Sequence, residues 1–153
     1  MILDNNLCFD AAVALTATRA STNVIDLTNS RDMGIGEELP IMIIGNGLFA
    51  SAGGTATLQI AAQYSTDNNT YVDAALSPVM TITQLNSTDG QPYLMPIDWP
   101  RPKKGSLLGA LRYIRLYYTV GTQDFTAGSI QAYLIRGRQD VVYYPRNYSV
   151  AVN

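Results

Sequence analysis

The chain has 153 residues, 47% of them apolar and 14% charged, with 12 Gly and 7 Pro, which fits one compact domain and not two. Ten Lys and Arg against 12 Asp and Glu give a formal charge of −2, too weak a positive field for a dedicated nucleic-acid binder. There is no His, so Ser–His–Asp, Cys–His and metal-hydrolase schemes cannot be written, and Cys8, the one cysteine, supplies neither an intrachain disulfide nor a zinc ligand set.

The first residues show no basic stretch with an apolar segment behind it, and no apolar run approaches the ~18–20 residues of a membrane span, so the expectation is a soluble protein made in the cytosol. Residues 1–20 read as an N-terminal arm that packs on its own sandwich or on a neighbour. Ile2, Leu3, Leu7, Phe9 and Val13 are too apolar for a loose tail. Within the arm, residues 1–15 are expected to pack on a neighbour, with Ile2, Leu3 and Phe9 as the anchors; residues 7–15 come nearest to an amphipathic helix, although their alanines suit an extended arm equally. Residues 21–153 then form the folded domain.

Strands are expected at 22–28 and 40–49. Pro40-Ile41-Met42-Ile43-Ile44 has no polar alternation, so both its faces should be covered, the outer one either by the N-terminal arm or by another chain. Gly34-Ile35-Gly36 and Gly45-Asn46-Gly47 read as turn glycines, since neither continues into a phosphate-cradling loop. Glu37-Glu38 reads as a solvated loop. In 55–65 the alternation is clean: Ala56, Leu58, Ile60, Ala62 and Tyr64 face one way, Thr55, Thr57, Gln59, Gln63 and Ser65 the other.

Ser65 to Thr70 is a turn cluster, and residues 71–76 resume extended structure, which together make a β-hairpin. Asp67, Asn69, Tyr71 and Asp73 loosely resemble a calcium loop but lack its central Gly and terminal Glu. Asn68, Asn86 and Asn147 head glycosylation-type sequons that read as polar turns. Strands are expected at 79–85 and 93–99; Pro92, Pro96, Pro100 and Pro102 mark the latter as an edge strand running into a loop, because proline cannot donate to a ladder.

In 111–120, Ile114, Leu116, Tyr118 and Val120 face inward, while Tyr113, Arg115, Tyr117 and Thr119 face outward. Ile130, Ala132 and Leu134 alternate with Gln131 and Tyr133 in the same way, and further strands are expected at 141–144 and 148–152. The fold expected is all-β: a jelly-roll-like two-sheet sandwich of about eight strands.

Residues 1–98 carry ten acids and two bases, whereas residues 99–153 carry eight bases and two acids. A β fold that interleaves the halves would turn this into ordinary surface pairs; segregated halves would favour docking of an oppositely charged partner. Ten Tyr against three Phe and one Trp suit surfaces that are wet alone and dry when paired. Candidate interface residues are Tyr113, Arg115 and Tyr117 on one strand, and Trp99, Arg101, Lys103, Lys104, Arg136, Arg138, Tyr143 and Tyr144 as a basic-aromatic group facing carboxylates. The other reading is that most of these tyrosines edge the core of a small sandwich, and a sugar-binding face is a further one, although such faces usually use Trp. Glycosidase carboxylates have no positive support.

Several stretches, taken in order, carry a resemblance: Met1-Ile2-Leu3-Asp4 with Leu7-Cys8-Phe9, Ala20-Ser21-Thr22-Asn23-Val24-Ile25-Asp26-Leu27, and Arg31-Asp32-Met33-Gly34-Ile35-Gly36. Gln63-Tyr64-Ser65-Thr66-Asp67-Asn68, Tyr113-Ile114-Arg115-Leu116-Tyr117-Tyr118, and Gly137-Arg138-Gln139-Asp140 with Tyr143-Tyr144-Pro145 continue it. The chain resembles the cement proteins of tailed-phage heads, of the Bordetella-phage type. The resemblance implies a jelly-roll protein that binds the outside of an icosahedral shell, bridges major capsid subunits and strengthens the head against packaged DNA. It implies no catalysis, cofactor, metal or small-molecule substrate, and a homo-dimer or homo-trimer on a local symmetry axis. A small head-fibre or tail protein and a carbohydrate-binding module are the alternatives.

Overall fold

The computed structural model describes residues 5–31, 40–87, 92–95 and 111–135. A 3-10 turn at Asn5–Leu7 leads into β1 (Cys8–Ala14), β2 (Arg19–Ala20), β3 (Ile25–Arg31), β4 (Ile41–Ser51) and β5 (Thr57–Ser65). There follow β6 (Val72–Leu76), β7 (Met80–Thr81), a short helix α1 (Ile82–Ser87), β8 (Pro92–Met95), β9 (Leu111–Gly121) and β10 (Phe125–Leu134). The strands form two antiparallel sheets, one of order β1-β10-β4-β8 and one of order β2-β9-β5-β6, with β3 added to β9 and β7 to β5. This is the jelly-roll-like sandwich that the period-two pattern predicts.

The core lies between the sheets, and the alternating residues supply it. Leu58, Ile60 and Ala62 of β5 and Ile114, Leu116 and Tyr118 of β9 are buried and pack with Ile41, Ile43, Phe49, Ile130 and Ala132 of the facing sheet. In register, Leu58 opposes Val120, Ile60 opposes Tyr118 and Ala62 opposes Leu116, so one slipped residue would turn the whole set outward.

Ile41, Met42 and Ile43 are buried, as the unbroken apolar run requires. Residues 8–14, however, do not lie across β4. They enter the same sheet as its edge strand, paired with β10, where the register slips beside Ala12 at φ 57°. Phe9 is therefore wholly buried in the chain's own core, which corrects its reading as an anchor on a neighbour.

Gly45-Asn46-Gly47 is not a turn. These residues lie within β4, where the partners jump from Asn46 with Ser129 to Ala50 with Ala127 and Gly47 adopts φ +77°. The bulge coincides with Phe49 entering the core. Gly128 on β10 gives it room: at φ +119°, a Cβ there would sit 2.4 Å from the Phe49 ring. Phe49 meets Phe125 edge to face, with centroids 5.2 Å apart.

The strand expected over 79–85 is also corrected. Only Met80–Thr81 is extended, and Ile82–Ser87 is helical. Thr81-Ile82-Thr83-Gln84 forms a capping box: the Thr81 N–H donates to Gln84 Oε1 at 2.9 Å, and the Gln84 N–H donates to Thr81 Oγ1 at 3.4 Å. Asn86 then ties the helix to the β4 bulge, accepting the Phe49 N–H at 2.8 Å and donating to the Phe49 carbonyl at 3.0 Å. The strand expected over 22–28 begins later, at Ile25, and β8 stands at the edge beside β4, where Pro92 is tolerated. The rest of 93–99, and the strands expected at 141–144 and 148–152, lie outside the described residues. Among the described residues, no helix is long and apolar enough to cross a membrane.

Candidate interaction surface

β9, β5 and β6 lie side by side, so their outward residues build one continuous outer face on the six-stranded sheet. Gln63 on β5 opposes Arg115 on β9 and Asp73 on β6. Arg115 Nε donates to Gln63 Oε1 at 2.8 Å, and Gln63 Nε2 donates to Asp73 Oδ1 at 2.8 Å. The Arg115 guanidinium stacks on Tyr71, 3.5 Å from the ring centroid, and stands 5.8 Å from that of Tyr117. Tyr71 is itself held, its hydroxyl donating to Asn68 Oδ1. Partial burial raises the Tyr71 phenol above its ordinary range.

Arg112, at the start of β9, is engaged differently. Its Nε and Nη2 donate to the two oxygens of Asp26 at 3.0 and 3.1 Å, and its guanidinium lies 4.7 Å from the Tyr113 centroid. This fork holds the Asp26 carboxyl below its usual range and raises Arg112. Asp26 belongs to the acidic part of the sequence and Arg112 to the basic part, so here the sheet interleaves the two. Beside the face, the turn after β5 is organised by Asp67. Its Oδ1 accepts from the Asn69 N–H at 2.9 Å, the Thr70 N–H at 2.8 Å and the Ser65 hydroxyl at 2.8 Å, which holds its pKa at about 2. That carboxylate serves the turn, and among the described residues no group of three or more His, Cys, Asp or Glu is placed to hold a metal ion.

A second polar cluster is internal. Asp10 is completely buried, accepting from Arg19 Nη1 at 3.0 Å, the Thr22 N–H at 3.1 Å, the Thr22 hydroxyl at 2.7 Å and the Tyr118 hydroxyl at 2.7 Å. It joins β1 and β2 to β9, and burial beside this carboxylate pushes the Tyr118 phenol well above its ordinary range. The role is structural: every acceptor position used faces inward to the chain's own groups.

Of the residues singled out from sequence, Tyr113, Arg115 and Tyr117 come together, half-buried, on the outer face. Phe9 is in the core. Ile2, Leu3, Trp99, Arg101, Lys103, Lys104, Arg136, Arg138, Tyr143 and Tyr144 lie outside the described residues. Sequence reasoning missed Tyr71, Gln63 and Asp73 as partners of Arg115; the hairpin pattern around Ser65 to Thr70 was the available signal, since it sets β6 beside β5.

The Bbp16 family matches residues 9–134. The chain belongs to the Bbp16 family. The match runs from Phe9 in β1 through the outer face to the end of β10, and the name, of the form given to Bordetella phage proteins, is consistent with a phage virion protein. Among solved structures, a xylan-binding module, CBM15, is 15% identical and covers 84% of this chain and 100% of its own, with a TM-score of 0.36. No curated protein matches.

Proposed function

We propose that this Bbp16-family chain is a structural protein of a tailed-phage head that binds the outer surface of the shell and cements neighbouring major capsid subunits against the pressure of packaged DNA. Membership of the family and the ordered resemblance to phage cement proteins support the reading. The observation that carries it on the molecule is the outer face of β9, where Tyr113, Arg115 and Tyr117 stand in phase and Arg115 is already immobilised. Tyr and Arg are the residue types that dominate interface energetics, and a side chain ordered before binding loses less entropy when it binds.

The partners proposed are the major capsid protein and other copies of this chain, a dimer or trimer on a local symmetry axis, because several modest contacts become strong when made together. The site of action proposed is the outside of the capsid. Antibody-gold electron microscopy of virions tests it: label spread over the head supports cementing, and label confined to the tail or to isolated fibres contradicts it.

A further inference from the structure

We infer that Arg115 is a preformed receptor for a single carboxylate side chain of a protein partner. A guanidinium presents five donors in a fixed fork. In Arg115 the Nε donor is spent on Gln63, which is itself held by Asp73, and one face of the plane is spent on Tyr71. Among the described residues, neither terminal nitrogen has an acceptor. The side chain is thus fixed at its base and along its plane, while its terminal nitrogens keep their donors unused among the described residues.

Arg112 shows what fills such an edge in this same strand. It takes both oxygens of Asp26 through two hydrogen bonds, with its guanidinium over the Tyr113 ring. Arg115 repeats the arrangement of guanidinium on tyrosine without the carboxylate. A planar carboxylate matches the fork in two hydrogen bonds, which are charge-assisted and stronger than neutral ones.

The surroundings favour this occupant over others. Arg112 already holds Asp26 on its fork, whereas Asp73 is taken by Gln63 and Asp67 by its own turn, so among the described residues no carboxylate reaches the terminal nitrogens of Arg115, and one carboxylate is what that fork lacks. Binding to a nucleic-acid backbone needs several cations in a row. One face of Tyr71 is covered by the guanidinium and is therefore not offered to a sugar for stacking. Tyr117, half-buried beside it, supplies apolar bulk to exclude water around the ion pair. The capsid as the source of the carboxylate rests on the proposed function; the carboxylate chemistry rests on these side chains alone.

The test is a nuclear magnetic resonance titration of the full chain, following the arginine Nε–H signals as a short capped Gly/Glu peptide is added at constant pH. The matching Gly/Gln peptide, inorganic phosphate and a xylo-oligosaccharide are added in parallel. The expected result is a saturable shift of Arg115 with the Glu peptide alone, the Arg112 signal unmoved, and affinity reduced roughly tenfold in Arg115→Lys, which keeps the charge but loses the fork. No shift of Arg115, or equal saturation by phosphate, the Gln peptide or the sugar, overturns the inference. Stripped phage heads separate the two claims. If wild type fails to bind heads but the peptide titrates, the cementing role falls and the carboxylate receptor stands; if heads bind and the peptide does not titrate, the receptor falls alone.

Discussion

Arg115 and Tyr71 stack at 3.5 Å across an intervening strand: Arg115 belongs to β9, Tyr71 leads into β6, and β5 runs between them with Gln63 hydrogen-bonded to the guanidinium. The pair fastens three neighbouring strands on their outer side, where nothing of the core reaches. A double-mutant cycle with Tyr71→Leu and Arg115→Gln, followed by urea denaturation, should give a coupling of about 1 kcal/mol, between the values for exposed and desolvated cation–π pairs. Additive effects would show that the stack contributes nothing to the fold.

Loss of Asp10 should be far more damaging. Asp10→Ala leaves Arg19, Thr22 and the Tyr118 hydroxyl without their acceptor in a buried site, for a destabilisation of about 3–5 kcal/mol by chemical denaturation. Tyr118→Phe removes one donor from the same cluster and should cost about 1–3 kcal/mol. If the two variants are equally stable, the cluster is not organised around Asp10.

The same cluster makes stability fall in alkali. The Tyr118 phenol is raised in the folded state above its ordinary value of 10.0, so the folded chain holds a proton that the unfolded chain releases. Its contribution is complete below pH 10 and is lost progressively as pH rises above it. Denaturation midpoints measured across this range should drop more steeply in wild type than in Tyr118→Phe.

At the acid end the relevant group is Asp67. Its carboxyl is lowered from 3.8 to about 2 by the Asn69 and Thr70 amides, so its stabilising contribution is present above pH 3.8 and disappears as pH falls through about 2. A carboxyl-carbon titration should show the depressed midpoint, and Asp67→Ala should loosen the turn between β5 and β6, seen as faster amide exchange at Asn69 and Thr70. Unchanged exchange would remove Asp67 as the organiser of that turn.

Gly128→Ala should destabilise by about 3 kcal/mol, combining the positive φ with a Cβ that meets the Phe49 ring. Thermal melting is a sufficient check. A neutral outcome would mean that Phe49 can leave its place opposite Phe125.

How much of this was legible in the sequence follows from what each strand faces. β5, β9 and β10 each have one apolar and one polar face, so alternation disclosed both their existence and which way Tyr113, Arg115 and Tyr117 point. The β4 bulge was misread because Gly45 and Gly47 look like turn glycines until the pairing with β10 is known. The helix at Ile82–Ser87 was missed although its capping box, Thr81 to Gln84, was in view; the apolar residues around it gave the stronger and misleading strand signal. Phe9 looked like an exposed anchor because an edge strand and an arm have the same composition, and only β10 distinguishes them. The hairpin around Ser65 to Thr70 sets Tyr71 and Asp73 near Gln63, but Arg115 lies more than 40 positions beyond them, so no local pattern shows that β9 joins the cluster.

Cementing itself is tested most directly by sedimenting the purified chain with mature, expanded heads stripped of decoration and counting bound copies per major capsid subunit. The account predicts saturation at a simple fixed ratio. Protein that stays in the supernatant at every concentration would contradict it.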